Sequence, residues 1–322
     1  MKEKVYLTRT LHDFALKELK KRYQIEIHSG KIPMPKTKLR SKIKDVDGLI
    51  CFPYDKIDKE IINSAENLKA ISTYSVGFDH IDTEYAKKKK IRVGFTPEVL
   101  TDATADLAFS LLLDISRRLS EGDRIIRDGK WKEIYGAHDY VGFDLQGKTI
   151  GILGLGRIGS TLAKRAKAFD MKIIYHNRKH ISKTREKALN AKYVSFEKLI
   201  SQSDFISIHV PHTKETDQLF DMKIFRKMKK TAFLINTSRG KVINEKDLVS
   251  ALKKKIISGA GLDVFETEPI RKKHPFVKLP NIVLAPHIGS STKETRGKMA
   301  ELTVKNLKLG MKGKKPIYSV GY

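Results

Sequence analysis

Cysteine is almost missing. Cys51 stands alone among 322 residues, so no disulfide can close within the chain. It ends the apolar run Gly48-Leu49-Ile50-Cys51 and is expected to be a buried small hydrophobe rather than a redox group. Tryptophan is as rare, with Trp131 alone. No apolar run approaches the roughly 20 residues that a membrane-spanning helix needs. The first twenty residues, MKEKVYLTRTLHDFALKELK, are charged throughout and lack the apolar stretch of a secretory leader. The chain is therefore expected to be cytoplasmic, without a membrane partner. No repeat, low-complexity tract or flexible linker interrupts it.

Acidic residues are also in deficit: 37 Asp and Glu face 64 Lys and Arg, a formal charge of +27. Such a balance admits a nucleic acid or an anionic surface as partner. The lysines, however, fall in short runs at 87–90, 229–230 and 253–255, where helix ends are expected and cations suit the helix dipole. No aromatics interleave them and none forms an arm. The excess reads as a solvated surface, and no nucleic-acid partner is expected.

What is present is a long alternation. The runs VYLT, QIEIH, GLICF, LKAIST and IRVGF read as strands, and IDKEIINSA and IDTEYAKKK between them as helices. The pattern predicts a parallel sheet covered by helices, and the length predicts two domains. The segment from Thr104 to Leu119 is apolar at helical spacing and too long for a strand, so it reads as a helix linking the two. The stretch GKWKEIYGAHDYVGFD that follows is aromatic, glycine-dotted and aperiodic, and reads as a loop or arm suited to a subunit contact. From Lys148 the alternation restarts, with strands expected in KTIGIL, MKIIYH, AKYVS, FISIHV, AFLINT, GAGLDV and IVLAP. A last helix is expected in STKETRGKMAELTVKNLKL.

The first strand of this second series runs into GLGRIG. Gly154 permits a tight turn, Gly156 lets a pyrophosphate approach the backbone, and Gly159 lets helix pack on strand, with the phosphates at a helix N-terminus. Ile158, Leu162, Ala166 and Phe169 then mark one helical face. At the end of the next strand, where an Asp or Glu would hold the ribose hydroxyls of NAD, the chain has Asn177, Arg178 and Lys179. A guanidinium there matches the 2′-phosphate of NADP, although an exposed arginine in a lysine-rich loop is the plainer alternative.

Three later segments set polar residues just past an apolar strand: Arg239 in AFLINTSRG, Asp263, Glu266 and Glu268 in GAGLDVFETEP, and His287 in IVLAPHIGSS. Ligands of open α/β sheets bind beyond the carboxyl ends of strands. An arginine, a carboxylate and a histidine converging there suit reduction of a 2-oxo acid. The arginine would hold the substrate carboxylate, the histidine would give a proton to the oxygen, and the acid would orient the histidine and favour its charged form. His209 and His212 in HVPHT are three apart around Pro211 with no accompanying ligand set, so no metal is expected.

These stretches, with SVGFDHID (75–82), IRVGFTPEVLTDATADLAFSLLL (91–113), VPHTKET (210–216) and NTSRGKVINEKDL (236–248), resemble the D-isomer-specific 2-hydroxyacid dehydrogenases over nearly the whole chain. Within that family the sequence is most similar to the glyoxylate/hydroxypyruvate reductase branch, which includes 2-ketogluconate reductases. The resemblance implies an α/β fold: a Rossmann dinucleotide-binding domain at 99–289, and a flavodoxin-like substrate domain from both chain ends, 1–98 and 290–322. It implies a homodimer through an arm at about 120–146. It places catalysis on Arg239, Glu268 and His287, and substrate-carboxylate binding on the Val76 and Gly77 amides. Cofactor contacts fall on Leu155, Gly156, Arg157 and Ile158, on Asn177, Arg178 and Lys179, on Thr237, Ser238 and Arg239, and on His287 to Gly289. Asp263 would hold the nicotinamide amide, with Thr104 nearby. NADP(H) is the expected cofactor, with NAD(H) possible, and a small 2-oxo or 2-hydroxy acid is the expected substrate. The alternatives are a 2-ketogluconate reductase, an NAD-linked 3-phosphoglycerate or D-lactate dehydrogenase, and a nucleotide-sensing binding protein like the C-terminal-binding-protein corepressors.

Overall fold

The computed structural model describes residues 2–30 and 33–320. They form two compact units, one from the described residues up to Leu100 and from Ser290 on, the other from residues 101–289.

The first unit opens with β1 (Lys4–Leu7), α1 (Asp13–Lys20), β2 (Gln24–Ile27), α2 (Lys36–Lys42), β3 (Gly48–Cys51), α3 (Lys59–Asn63), β4 (Ala70–Thr73), α4 (Thr83–Lys88) and β5 (Arg92–Gly94). The second unit holds α5 (Thr101–Arg117), α6 (Leu119–Arg127), β6 (Thr149–Leu153), α7 (Arg157–Ala168), β7 (Lys172–His176), α8 (Lys183–Leu189) and β8 (Ala191–Tyr193). It continues through α9 (Phe196–Gln202), β9 (Phe205–Ile208), α10 (Met222–Phe225), β10 (Phe233–Asn236), α11 (Glu245–Lys253), β11 (Gly259–Leu262) and β12 (Ile282–Leu284). The chain then returns to the first unit as α12 (Lys293–Met311) and β13 (Ser319–Val320).

The first sheet has the order β13-β5-β4-β3-β1-β2, all parallel except β13, which runs antiparallel to β5. The order 2-1-3-4-5 within it is that of a flavodoxin-like layer. The second sheet, β12-β11-β10-β9-β6-β7-β8, is parallel throughout. Its order reverses between β6 and β9, the switch point of a Rossmann fold. β3, β4, β9, β10 and β11 are buried at every residue, as strands covered on both faces must be.

Polar side chains set where helices start. Asp58, Asp82, Ser182, Ser195, Asp221, Asn244 and Thr292 each accept the backbone amide three residues on, a cap worth ~1 kcal/mol. The lysine runs at 87–90 and 253–255 lie at the ends of α4 and α11 as expected. Lys229 instead lies beyond α10 and pairs with Asp204 at 2.8 Å. Cys51 is buried, and burial pushes its thiol well above the usual range.

The aromatic stretch 129–144 is irregular as expected, and one expectation, at Phe169, needs correction. Before that stretch the chain forms a helix, α6, supported by ion pairs between Arg118 and Glu121 and between Asp123 and Arg127. Irregular chain then follows, braced where Tyr140 donates to the Arg118 carbonyl and stacks on Tyr135. Phe169 leaves the buried face of α7: it is the C-cap, remains exposed, and packs its ring on Phe109.

Candidate functional site

In the second unit the glycine turn follows β6 directly and opens α7. Gly154 has φ +97°, the left-handed region that side chains avoid. A Cβ on Gly159 would lie 2.4 Å from the Gly154 carbonyl oxygen, so the third glycine is what lets the helix start so close to the strand. The turn is tied to the neighbouring strand by the Asn177 side chain, whose Oδ1 accepts the Leu155 amide at 2.6 Å. Arg157, Arg178 and Lys179 are exposed, and Ile158 is half-buried. Glu215, in the loop after β9, is held below the usual carboxyl range by the Thr213 hydroxyl and its own backbone amide, with Arg178 and Lys214 adding attraction.

The fit of a dinucleotide can be tested on this geometry. No heavy atom beyond its chain neighbours lies within 4 Å of a Cβ built on Gly156, so the backbone there is open to a phosphate. The Thr237 hydroxyl, beyond β10, is buried and has no hydrogen-bond partner among the described residues. An open glycine at a helix N-terminus and an orphaned hydroxyl past β10, two strands along the same sheet, both suit a phosphorylated ligand.

The catalytic candidates gather at the ends of β10, β11 and β12. His287 Nδ1 lies 2.6 Å from Glu268 Oε2, and Glu268 Oε1 accepts the Phe265 amide at 2.9 Å. A carboxylate can only accept, so Nδ1 carries the proton and Nε2 is the nitrogen that can exchange one with a substrate. His287 itself has φ +55°, a conformation a histidine adopts only where its surroundings impose it. Asp263 supplies that constraint. It is buried, and its two oxygens accept the amides of Ile288 at 2.7 Å and Gly289 at 2.8 Å. Burial raises its carboxyl above the usual range, against the pull of the Ile288 amide, His287 and the Gly289 amide. Thr104 Oγ1 on α5 donates to the Gly289 carbonyl at 3.1 Å, closing the loop from the other side.

Arg239 is placed by a separate device. Asn236 Oδ1 accepts from both the amide and the hydroxyl of Ser238, and Asn236 Nδ2 donates to the Arg239 carbonyl. The Arg239 guanidinium donates to the Ser238 carbonyl at 2.8 Å. Next to it, a Cβ on Gly240 would lie 1.9 Å from the Phe265 carbonyl carbon, so this backbone touches the loop that carries Glu268. Arg239, Glu268 and His287 are thus held on adjoining loops. In the first unit, Val76 and Gly77 follow β4 and are half-buried. Neither of their amides donates to a protein acceptor among the described residues.

Sequence reasoning missed Asn177 as the brace of the glycine turn, Asn236 as the organiser of the arginine loop, and Asp263 as the clamp on the histidine loop. The histidines of HVPHT turn to different partners, His209 Nε2 to Ser207 at 2.8 Å and His212 Nε2 to Asp217 at 2.7 Å. No cluster of metal-ligating side chains occurs among the described residues. No helix among them is long and apolar enough to cross a membrane.

A Rossmann unit with a histidine–carboxylate pair beyond its strand ends is an arrangement suited to a dinucleotide-dependent oxidoreductase. Residues 109–289 match the family model for the D-isomer specific 2-hydroxyacid dehydrogenase, NAD binding domain. The chain is 50% identical over 319 residues to a glyoxylate reductase of Thermococcus litoralis, covering 98% of this chain and 96% of that one. Among solved structures it resembles the TT0316 protein of Thermus thermophilus, at TM-score 0.92 and 42% identity over 99% of this chain and 100% of that one. It also resembles an NADPH-dependent glyoxylate/hydroxypyruvate reductase of Sinorhizobium meliloti in complex with NADP and malonate, at TM-score 0.86 and 28% identity over 100% and 97%. The chain belongs to the D-isomer-specific 2-hydroxyacid dehydrogenase family. It is an oxidoreductase of that kind.

Proposed function

We propose that this protein is an NADPH-dependent reductase of small 2-oxo acids, glyoxylate and hydroxypyruvate foremost, yielding the D-2-hydroxy acid. The observation that carries the chemistry is the 2.6 Å pair of His287 Nδ1 and Glu268 Oε2, which fixes the histidine with Nε2 as its exchangeable nitrogen. The relatives named above support the substrate class.

In this reading the Val76 and Gly77 amides and the Arg239 guanidinium take the substrate carboxylate, and Arg239 also polarises the 2-oxo group. The hydride for the carbonyl carbon would come from NADPH when it is bound. His287 gives its Nε2 proton to the oxygen as the carbonyl π pair moves there, and Glu268 stabilises the imidazolium before transfer. His287 then regains a proton from solvent. The residues that would hold the dinucleotide are Gly154 to Gly159 at the pyrophosphate, Asn177, Arg178 and Lys179 at the adenosine end, and Thr237, Ser238, Asp263, Gly289 and Thr104 toward the nicotinamide. Each Asp263 oxygen keeps lone-pair capacity beyond its backbone bond. Arg178 in place of an acid supports the 2′-phosphate of NADP.

A homodimer belongs to the same reading. Segment 119–146 exposes Leu119, Ile126, Trp131, Ile134, Tyr135, Val141 and Phe143, large apolar side chains suited to a subunit contact.

The test is a panel of glyoxylate, hydroxypyruvate and 2-ketogluconate assayed with NADPH and with NADH. Glyoxylate or hydroxypyruvate with NADPH should give the highest kcat/KM. His287→Ala should remove all but about a thousandth of turnover while NADPH still binds. Full turnover by that variant would reject the assignment.

A further inference from the structure

Below Val76 and Gly77 runs a chain of buried polar contacts that no role above uses. Ser75 Oγ lies 2.6 Å from the Gly77 carbonyl oxygen, Thr73 Oγ1 lies 2.7 Å from Ser75 Oγ, and His80 Nε2 lies 3.0 Å from Thr73 Oγ1. Thr73 and Ser75 are buried. The proton order follows from the acceptor at one end. A carbonyl only accepts, so the Ser75 hydroxyl donates to Gly77. Ser75 Oγ then accepts from Thr73, whose own oxygen accepts from His80 Nε2–H. Every hydrogen in the chain points toward the loop, and the Ser75 carbonyl is held from the other side by the Thr96 amide at 2.8 Å.

We propose that Ser75, backed by Thr73 and His80, is a positioning residue that aims the Val76 and Gly77 amides at the substrate carboxylate. A peptide plane cannot rotate while its carbonyl is pinned: Thr96 holds the Ser75 carbonyl, whose plane carries the Val76 amide, and Ser75 holds the Gly77 carbonyl, so the plane of the Gly77 amide is fixed from both sides. Glycine at 77 and two amides without protein acceptors would otherwise leave this turn free to sample several orientations. The network converts a flexible turn into a preformed anion receptor, so less ordering remains to be done on binding. The inference rests on the reading that these amides bind the carboxylate.

The experiment uses the full-length enzyme with Ser75→Ala, Thr73→Val and Thr73→Ser. Loss of one buried link should raise the KM for glyoxylate and the Ki for oxalate together, by about 5- to 20-fold, with kcat within about twofold and NADPH binding unchanged. Thr73→Ser keeps the hydroxyl and should restore both constants. Amide hydrogen exchange over residues 75–80 should speed up in Ser75→Ala and Thr73→Val but not in Thr73→Ser. If Ser75→Ala does not fold, Thr73→Val, nearly isosteric, reads the same chain one link back. Unchanged KM, Ki and exchange in the folded variants would overturn the positioning role. Faster exchange with unchanged KM and Ki would show that the network orders the loop but that these amides do not bind the carboxylate, which overturns the reading beneath it. Absence of glyoxylate turnover in the unaltered chain would overturn both.

Discussion

Glu268 bonds His287 Nδ1 with one carboxylate oxygen and the Phe265 amide with the other, at 2.6 Å and 2.9 Å. The acid is itself fixed by backbone before it fixes the imidazole. Its geometry therefore follows from the loop and not from a rotamer choice.

Glu268→Gln keeps the shape and the bond to Phe265 but offers His287 an amide that can donate. Nδ1 is then able to accept, which moves the ring proton to Nε2 and removes the charge that stabilises an imidazolium. We expect kcat to fall by about 10²- to 10⁴-fold, with little change in NADPH binding, and the pH dependence of kcat/KM to shift. Initial rates across the neutral range, on both sides of the ordinary histidine pKa, check this. A variant with unaltered rate and profile would show that the pair is structural.

Two glycines in the same turn should respond differently. Gly159→Ala places a methyl 2.4 Å from the Gly154 oxygen and should cost ~1–3 kcal/mol of stability. Gly156→Ala meets no atom of the described residues within 4 Å beyond its chain neighbours, so its melting temperature should stay within ~2 °C of the parent. It should still weaken dinucleotide affinity by about tenfold, because the methyl stands where a phosphate would approach. Calorimetric melting and cofactor titration separate the two effects.

Arg178→Ala should lower kcat/KM with NADPH by about 10- to 100-fold and leave NADH within about threefold. Equal losses with both cofactors would assign the arginine to general attraction and not to the 2′-phosphate.

His209 gives a stability prediction. As a residue it keeps some exposed surface, yet its ring is enclosed, and burial pushes it down to about 4. Between about pH 4 and 6.5 the unfolded histidine binds a proton that the folded one refuses. Stability is therefore complete above about pH 6.5 and lost as pH falls toward 4. Allowing for the residue's partial exposure, the loss should be about 1–3 kcal/mol. His209→Gln should flatten that part of the pH profile in urea melts. An equally steep profile would assign the acid sensitivity to other groups.

Much of this was legible in the sequence, for identifiable reasons. Parallel strands buried on both faces are written as short apolar runs, and β3, β9 and β10 stood out for that reason. GLGRIG was readable because a tight turn against a helix leaves only glycine at defined offsets. What escaped was held by bonds between distant residues. Asn177 reaches Leu155 across 22 positions and Asp263 reaches Ile288 across 25, and no local pattern marks either partner. Helix α6 escaped because it carries few apolar residues, Leu119, Ile125 and Ile126, too few to mark a helical face, and none of them is fully buried. The two-residue β13 was too short to show a period, and its place is set by pairing with β5.

The helix α12 packs on β3, β4 and β5, and its Met299, Ala300, Val304, Leu307 and Met311 are buried. The first sheet is made early in synthesis, yet the element that covers it leaves the ribosome only after the whole second unit. Residues 101–289 are complete before that cover exists, so they can fold as a unit while the N-terminal strands wait with one apolar face open. A stalled or truncated chain that ends before Lys293 would leave that face bare, a natural target for chaperones.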